Sequence, residues 1–303
     1  MLCYNVMMDD TMQRRALLGT ALVLPALCRT GAADALPVVA TFSILGDLLR
    51  QVAGERPLAL SVLVGPDGDA HGFQPRPSDA AQLRGAALLL RNGLGYDDWL
   101  MRLAGAAGSG GTQVTASDGV APRRAAGVPD PHAWGDPRNV RTYLRNIAAG
   151  LAAADPGNAA LYARQAATAS ERLTALDAET RAAFATVPEA RRKVLTSHDA
   201  FGYFGAAYGI RFLAPQGIST QAEPSAAMVG ALIRQVRAER ITAVFLENMA
   251  GPATLERLAR EAGVRVGGRL YSDSLSPTGG PAPSYEALIR HNTGLLVPAM
   301  RGD

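Results

Sequence analysis

An uninterrupted helical stretch near the middle of the chain, Asn158 to Val187, constrains the fold more than any other feature. Along it Tyr162, Ala166, Ala169, Leu173, Leu176, Thr180 and Phe184 recur every three or four residues, which places them on one helical face. The stretch is rich in strong helix formers, has no internal glycine or proline, and is bracketed by Asp155-Pro156-Gly157 and Pro188. At 1.5 Å of rise per residue, a helix of about 28 residues is roughly 42 Å long. Such a helix either joins two lobes as a stiff strut or packs inside one domain.

On both sides of this helix, short β-rich runs alternate with helical ones, the signature of α/β units with a largely parallel sheet. Before it come strand-like Val38–Phe42, Leu58–Val64, Leu88–Arg91 and Val114–Ala116, with helical Ile44–Ala53 and Ser78–Gly85. Gly105 to Pro131 is rich in Gly, Ala, Ser and Pro and reads mostly as loop. After the helix come strand-like Lys193–Ser197, Ile210–Ala214, Thr242–Glu247 and Val264–Leu270, with helical Ala226–Arg240 and Ala253–Ala262. The expected architecture is α/β: two lobes, each a mostly parallel sheet flanked by helices, joined by one long rigid helix. The expected boundaries are residues 36–157, 158–187 and 188–303.

The first 35 residues read as an export signal. Arg14 and Arg15 precede an apolar run, Ala16 to Leu27, too short to span a bilayer, and Ala33-Asp34-Ala35 offers a small-x-small cleavage site. Cleavage after Ala35 makes Leu36 the mature start. The acidic residues 9 and 10 place the working start codon at Met12, and the arginine pair leaves the Sec and twin-arginine routes both open. Both cysteines, Cys3 and Cys28, fall in the removed segment, so the mature chain has neither a disulfide nor a thiolate ligand. Pro25 and Leu27 fit a lipobox poorly, which favours a soluble periplasmic protein over one lipidated at Cys28.

With 48% apolar and 19% charged residues the chain has the composition of a globular protein. Its net charge of +3 comes without any block of like charges, so a nucleic-acid role has no support.

Of the four histidines, three sit beside turn residues after expected strands: His71 in Gly-Asp-Ala-His-Gly-Phe, His132 in Asp-Pro-His-Ala-Trp and His198 in Thr-Ser-His-Asp. Asp273 follows the strand that ends at Leu270. In open α/β sheets, ligands gather beyond the carboxyl ends of strands, where such loops converge. Three imidazoles and a carboxylate make a nitrogen and oxygen set suited to tetrahedral zinc. A ligating imidazole also needs an acceptor for its second N–H, and Asp69, Asp130, Asp136 and Asp199 are near in sequence. For any single histidine, a surface or structural role is the competing reading. His291 reads as a residue near the end of a helix closed by Asn292 or Gly294, where a cation complements the dipole. Glu247, ending an apolar strand, is a candidate accessory or gate.

At these residues the chain resembles the substrate-binding proteins of zinc and manganese ABC importers. The resemblance covers nearly all of the mature chain. It is carried by Asp69-Ala70-His71 with Pro75-Arg76-Pro77-Ser78-Asp79, Asp130-Pro131-His132-Ala133-Trp134 with Asp136-Pro137, Ser197 to Phe204, and Ser272-Asp273-Ser274-Leu275. It implies His71, His132, His198 and Asp273 as metal ligands between two lobes, small lobe movements, and a membrane permease as partner. It also implies a monomeric receptor that carries out no chemistry. Histidine at 198 implies zinc, because manganese receptors of this type usually place glutamate there; manganese is the alternative. Two departures stand out: Gly105 to Asp130 lacks the histidine-rich loop of several zinc receptors, and the cysteine pair of some members is missing. A zinc hydrolase is the rival enzyme reading, but no HExxH motif is present and four protein ligands leave no position for an activated water. A surface adhesin has no support beyond export, and nothing in the sequence identifies a metal-loading chaperone.

Overall fold

A computed structural model describes residues 34–125, 127–221, 225–241, 243–249 and 253–302. The expected export signal, with Cys3 and Cys28, lies outside the described residues apart from Asp34 and Ala35. Among the described residues no helix is long and apolar enough to cross a membrane.

The first sheet has the order β2-β1-β3-β4, built from β1 (Leu36–Phe42), β2 (Leu58–Val64), β3 (Leu88–Arg91) and β4 (Thr112–Thr115), all parallel. Parallel sheets are covered on both faces, and β1 accordingly reads as a nearly continuous apolar run. Val38, Ala40 and Phe42 point into the main core, while Val39 faces a smaller cluster with Leu83, Leu89, Leu100 and Ala104. The flanking helices are α1 (Ser43–Ala53), α2 (Pro77–Arg84) and α3 (Trp99–Ala107). A short antiparallel hairpin, β5 (Arg124–Ala125) and β6 (Val128–Pro129), leads toward His132.

Helix α4 (Pro137–Ala154) falls where the sequence reading placed no element. Asp136 caps it by accepting from the Arg138 N–H at 2.9 Å, and proline occupies the first turn, where a missing N–H costs nothing. Val140, Tyr143, Leu144, Ile147 and Leu151 form its buried stripe, and Gly150 lets the helix approach β4 closely: a Cβ there would lie 2.2 Å from Val114 Cγ2.

Helix α5 (Ala159–Ala185) is the expected long helix, and its buried residues are the seven of the periodic stripe. At 27 residues it is about 40 Å long, and it packs against α1, α4 and the last helix, Tyr285–Arg301. The second sheet has the order β10-β9-β7-β8, again parallel, from β7 (Lys193–Leu195), β8 (Arg211–Leu213), β9 (Ala243–Glu247) and β10 (Arg265–Leu270). Helices α6 (Gly202–Tyr208), α7 (Ala226–Ala238), α8 (Ala253–Ala262) and α9 (Tyr285–Arg301) surround it. The α/β architecture of two parallel sheets and a long helix is therefore as expected. One apolar cluster runs from Leu36 through α4 and α5 to Met300 and so underlies both sheets, while the outer face of the second sheet has its own cluster around Leu195, Leu232 and Leu258.

Two local expectations are corrected. The segment from Gly105 to Pro131 is more ordered than expected, since besides the expected strand, β4, it holds the end of α3 and the hairpin. Helix α9 runs through His291, Asn292 and Gly294 to Arg301, so His291 lies mid-helix and the terminal-dipole argument does not apply to it.

Candidate metal centre

The four singled-out side chains meet at one point: the ligand atoms of His71, His132, His198 and Asp273 all lie within 4.8 Å of one another. His71 occupies the turn beyond β2, where its backbone N–H donates to Asp69 Oδ1 at 2.8 Å. His198 lies just beyond β7 and Asp273 just beyond β10, at the carboxyl ends of the second sheet. His132 instead follows the β5–β6 hairpin and opens the short 3-10 turn 133–135.

The distances between ligand atoms are short and similar. His71 Nε2 is 3.2 Å from His132 Nε2 and 3.2 Å from Asp273 Oδ2. His198 Nε2 is also 3.2 Å from Asp273 Oδ2, and His132 Nε2 is 3.5 Å from Asp273 Oδ1. Four ligands at about 2.0–2.1 Å from a tetrahedral zinc ion stand about 3.3 Å apart, which these spacings match. His132, His198 and Asp273 are fully buried, whereas the His71 side chain keeps 7% exposure and lies nearest to solvent.

The acceptors behind the rings differ in part from sequence proximity. Asp130 Oδ1 accepts from both the backbone N–H and Nδ1 of His132, at 3.0 and 2.9 Å, which leaves Nε2 with a free lone pair aimed at the cluster. Asp69 holds the His71 backbone rather than its ring, and its other oxygen accepts from Thr220 Oγ at 2.6 Å. Asp136 is the α4 cap and pairs with Arg138, not with His132. Behind His198 stands Glu247 rather than Asp199. Glu247 Oε1 accepts the backbone N–H of Ser197 and of His198, both at 2.8 Å, and Oε2 accepts from Ser272 Oγ at 2.6 Å. Oε2 also lies 2.7 Å from His198 Nδ1, but off the N–H direction, so that contact is a close ion pair rather than an aligned hydrogen bond.

Burial alone would discharge these groups, but the opposite charges outweigh it. Burial pushes His198 down, yet Glu247 and Asp273 hold its imidazolium well above the usual histidine range. His132 is likewise raised against its burial, by Asp273 and Asp130. Burial pushes the Asp273 carboxyl up, and His132 and His198 bring it well below the ordinary range. The charged forms of His132, His198 and Asp273 thus stabilise one another.

Sequence reasoning missed the aromatic wall. Tyr96 packs edge-on against His71 with ring centres 4.7 Å apart, and its buried hydroxyl has no hydrogen-bond partner. Trp134 lies 5.2 Å from His132 and donates its indole N–H to Ser272 O at 2.9 Å, joining the two sides of the site. The local signals were a glycine-rich turn before Tyr96 and the Trp of Asp-Pro-His-Ala-Trp. His291 stands apart from the cluster, with Nε2 2.9 Å from Arg269 O.

The family described as zinc-uptake complex component A, periplasmic, matches residues 38–299. The chain belongs to this family. Among relatives, the iron-binding protein YfeA of Yersinia pestis is 33% identical over 258 residues, 83% of this chain and 82% of its own length. The manganese-binding lipoprotein MntA of Halalkalibacterium halodurans is 29% identical over 268 residues, 88% of this chain and 89% of its own. The periplasmic zinc-binding protein TroA of Treponema pallidum superposes with a TM-score of 0.84 at 27% identity, covering 88% of this chain and 99% of TroA. This member is therefore a metal-binding receptor of the ABC-importer type, working outside the cytoplasm, and not an enzyme.

Proposed function

We propose that His71, His132, His198 and Asp273 hold one zinc ion, which the receptor captures in the periplasm and delivers as a monomer to the membrane permease of an ABC importer. The observation that carries this reading is the convergence of four ligand atoms, three of them on fully buried residues, all within 4.8 Å of one another and with four of their contacts at 3.2–3.5 Å. Three nitrogens and one carboxylate favour zinc, and a closed set of four leaves no position for a hydrolytic water. The lobes are residues 36–157 and 188–303, with the long helix between them. The metal content of protein purified from periplasm without added metal tests the assignment: zinc at about one ion per chain is expected, and iron or manganese in its place would overturn it.

One observation favours a second reading. Both oxygens of Asp273 face the histidines, Oδ1 toward His132 and Oδ2 toward His71 and His198, so a bidentate carboxylate would supply a fifth bond. Manganese and iron take higher coordination more readily than zinc, and YfeA and MntA are named for those metals.

Export by an N-terminal signal over residues 1–35, with the mature chain starting at Leu36, completes the proposal. MntA is named a lipoprotein, so intact mass of the exported protein is the deciding measurement. A diacylglycerol-modified Cys28 would overturn the soluble form.

A further inference from the structure

Arg123 touches none of the four proposed ligands, yet it ends a chain of contacts that leads to one of them. Its Nη1 lies 2.8 Å from Asp130 Oδ2, while the opposite oxygen of the same carboxylate holds the backbone N–H and Nδ1 of His132. The Asp130 side chain is 1% exposed and that of Arg123 is 39% exposed. The pair therefore bridges from solvent to the ring behind the site.

The seat of this arginine is built by the other half of the molecule. The backbone N–H of Arg123 donates to Tyr203 Oη at 2.8 Å, the same hydroxyl donates to Asp130 O at 3.2 Å, and the guanidinium stands 5.5 Å from the centre of the Tyr203 ring. Gly202, the first residue of α6, supplies the space. A Cβ there would fall 1.6 Å from Arg123 Nη1 and 2.6 Å from Asp130 Oδ2. The absent side chain thus makes a notch that the ion pair of the first half fills.

We propose that Arg123 is a positioning residue that links the apposition of the two sheet-bearing halves to metal affinity, acting through Asp130 on His132. The inference rests on the reading of the cluster as a metal centre. With the halves together, Gly202 and Tyr203 hold the guanidinium against Asp130, both carboxylate oxygens are engaged, and His132 keeps the orientation that turns Nε2 to the metal. When α6 withdraws, Arg123 is free to turn to water and Asp130 loses its second anchor. The ring it orients is then less fixed, which lowers affinity at the moment the cleft opens.

The test uses the full mature chain. Arg123→Ala should raise the zinc dissociation constant about tenfold or more, the scale of losing a partner behind a ligand, and Arg123→Lys should recover part of it by restoring a point charge. Gly202→Ala should act in the same direction, and the double variant should be no worse than the more severe single one, because both act through Asp130. Nitrogen-15 NMR of the imidazoles in metal-free protein should show the His132 Nδ1–H losing its hydrogen-bonded shift in Arg123→Ala, which a merely structural role would not produce. A dissociation constant within about twofold of wild type, fully additive effects, or an unmoved His132 resonance would each overturn the proposal. Should wild-type protein take up no zinc, iron or manganese, the receptor reading fails, while the NMR measurement on the metal-free chain still decides whether Arg123 positions His132.

Discussion

Glu247 holds His198 from both ends of the residue, accepting its backbone N–H at 2.8 Å and standing 2.7 Å from its Nδ1. Glu247→Gln keeps the shape and a carbonyl acceptor but removes the charge beside the ring. It should weaken zinc binding by about 10–100-fold, the usual loss for such partners, with the fold retained. Glu247→Ala leaves two buried N–H groups without an acceptor, at about 1–3 kcal/mol each, and should also lower the metal-free melting point. Equilibrium competition with a calibrated chelator, alongside thermal melts, separates the two effects.

The four proposed ligands should differ from His291 in a way that thermal shifts can read. Metal at about a thousand times its dissociation constant stabilises the native state by roughly 4 kcal/mol. For a chain of this size that corresponds to a rise on the order of 10 °C. Alanine at His71, His132 or His198 should remove most of that rise, and His291→Ala should leave it intact. Equal losses at His291 and His71 would refute the ligand assignment.

The choice of metal rests on His198. Replacing its nitrogen with an oxygen donor, as in His198→Glu, suits a harder ion that takes more ligands. The zinc-over-manganese affinity ratio should fall at least about tenfold, equal to 1.4 kcal/mol. Because zinc outcompetes manganese at most nitrogen-containing sites, the ratio rather than either affinity is the quantity to measure.

Acidity should act oppositely on the metal-free and the loaded protein. His132 and His198 titrate above the ordinary 6.5 in the metal-free fold, so their contribution to stability is complete below 6.5 and is lost as the pH rises through their elevated values. Asp273 titrates below the ordinary 3.8, so its contribution is present above 3.8 and is lost as the pH falls through its lowered value. Metal-free protein should therefore gain most from these groups between about pH 4 and 6.5. Zinc competes with the same protons and should give a larger melting shift at about pH 8 than at about pH 5.5. Calorimetry at the two values checks the sign, and a larger shift at the lower pH would contradict it.

Much of this was legible from short-range pattern. The seven buried positions of α5 repeat at the helical period because one face of that helix is buried along its length, and His71 and His198 lie beyond strands with apolar runs, whereas His132 follows a short hairpin that no such run announces. What pattern could not decide was which of several nearby groups a side chain meets. Asp136 reads as a histidine partner; packing makes it a helix cap instead, and the helix it starts is the one the sequence reading passed over. Asp199 neighbours His198 in the chain, but the partner is Glu247, brought across by the pairing of β9 with β7. For Tyr96 the only local mark is the glycine-rich turn before it, and the seat of Arg123 is made by Tyr203, 80 residues away in sequence.

The apolar cluster that runs unbroken beneath both sheets also governs how the molecule comes apart. Each half has a small outer cluster of its own, but the main interior is shared, so cutting the chain at the long helix would strip packing from Tyr143 on one side and from Tyr285 on the other. The native state should accordingly melt in one cooperative step, loaded or bare. An ion held at a single point then protects amides throughout the chain, because no part of the shared interior can exchange with solvent without disturbing the remainder.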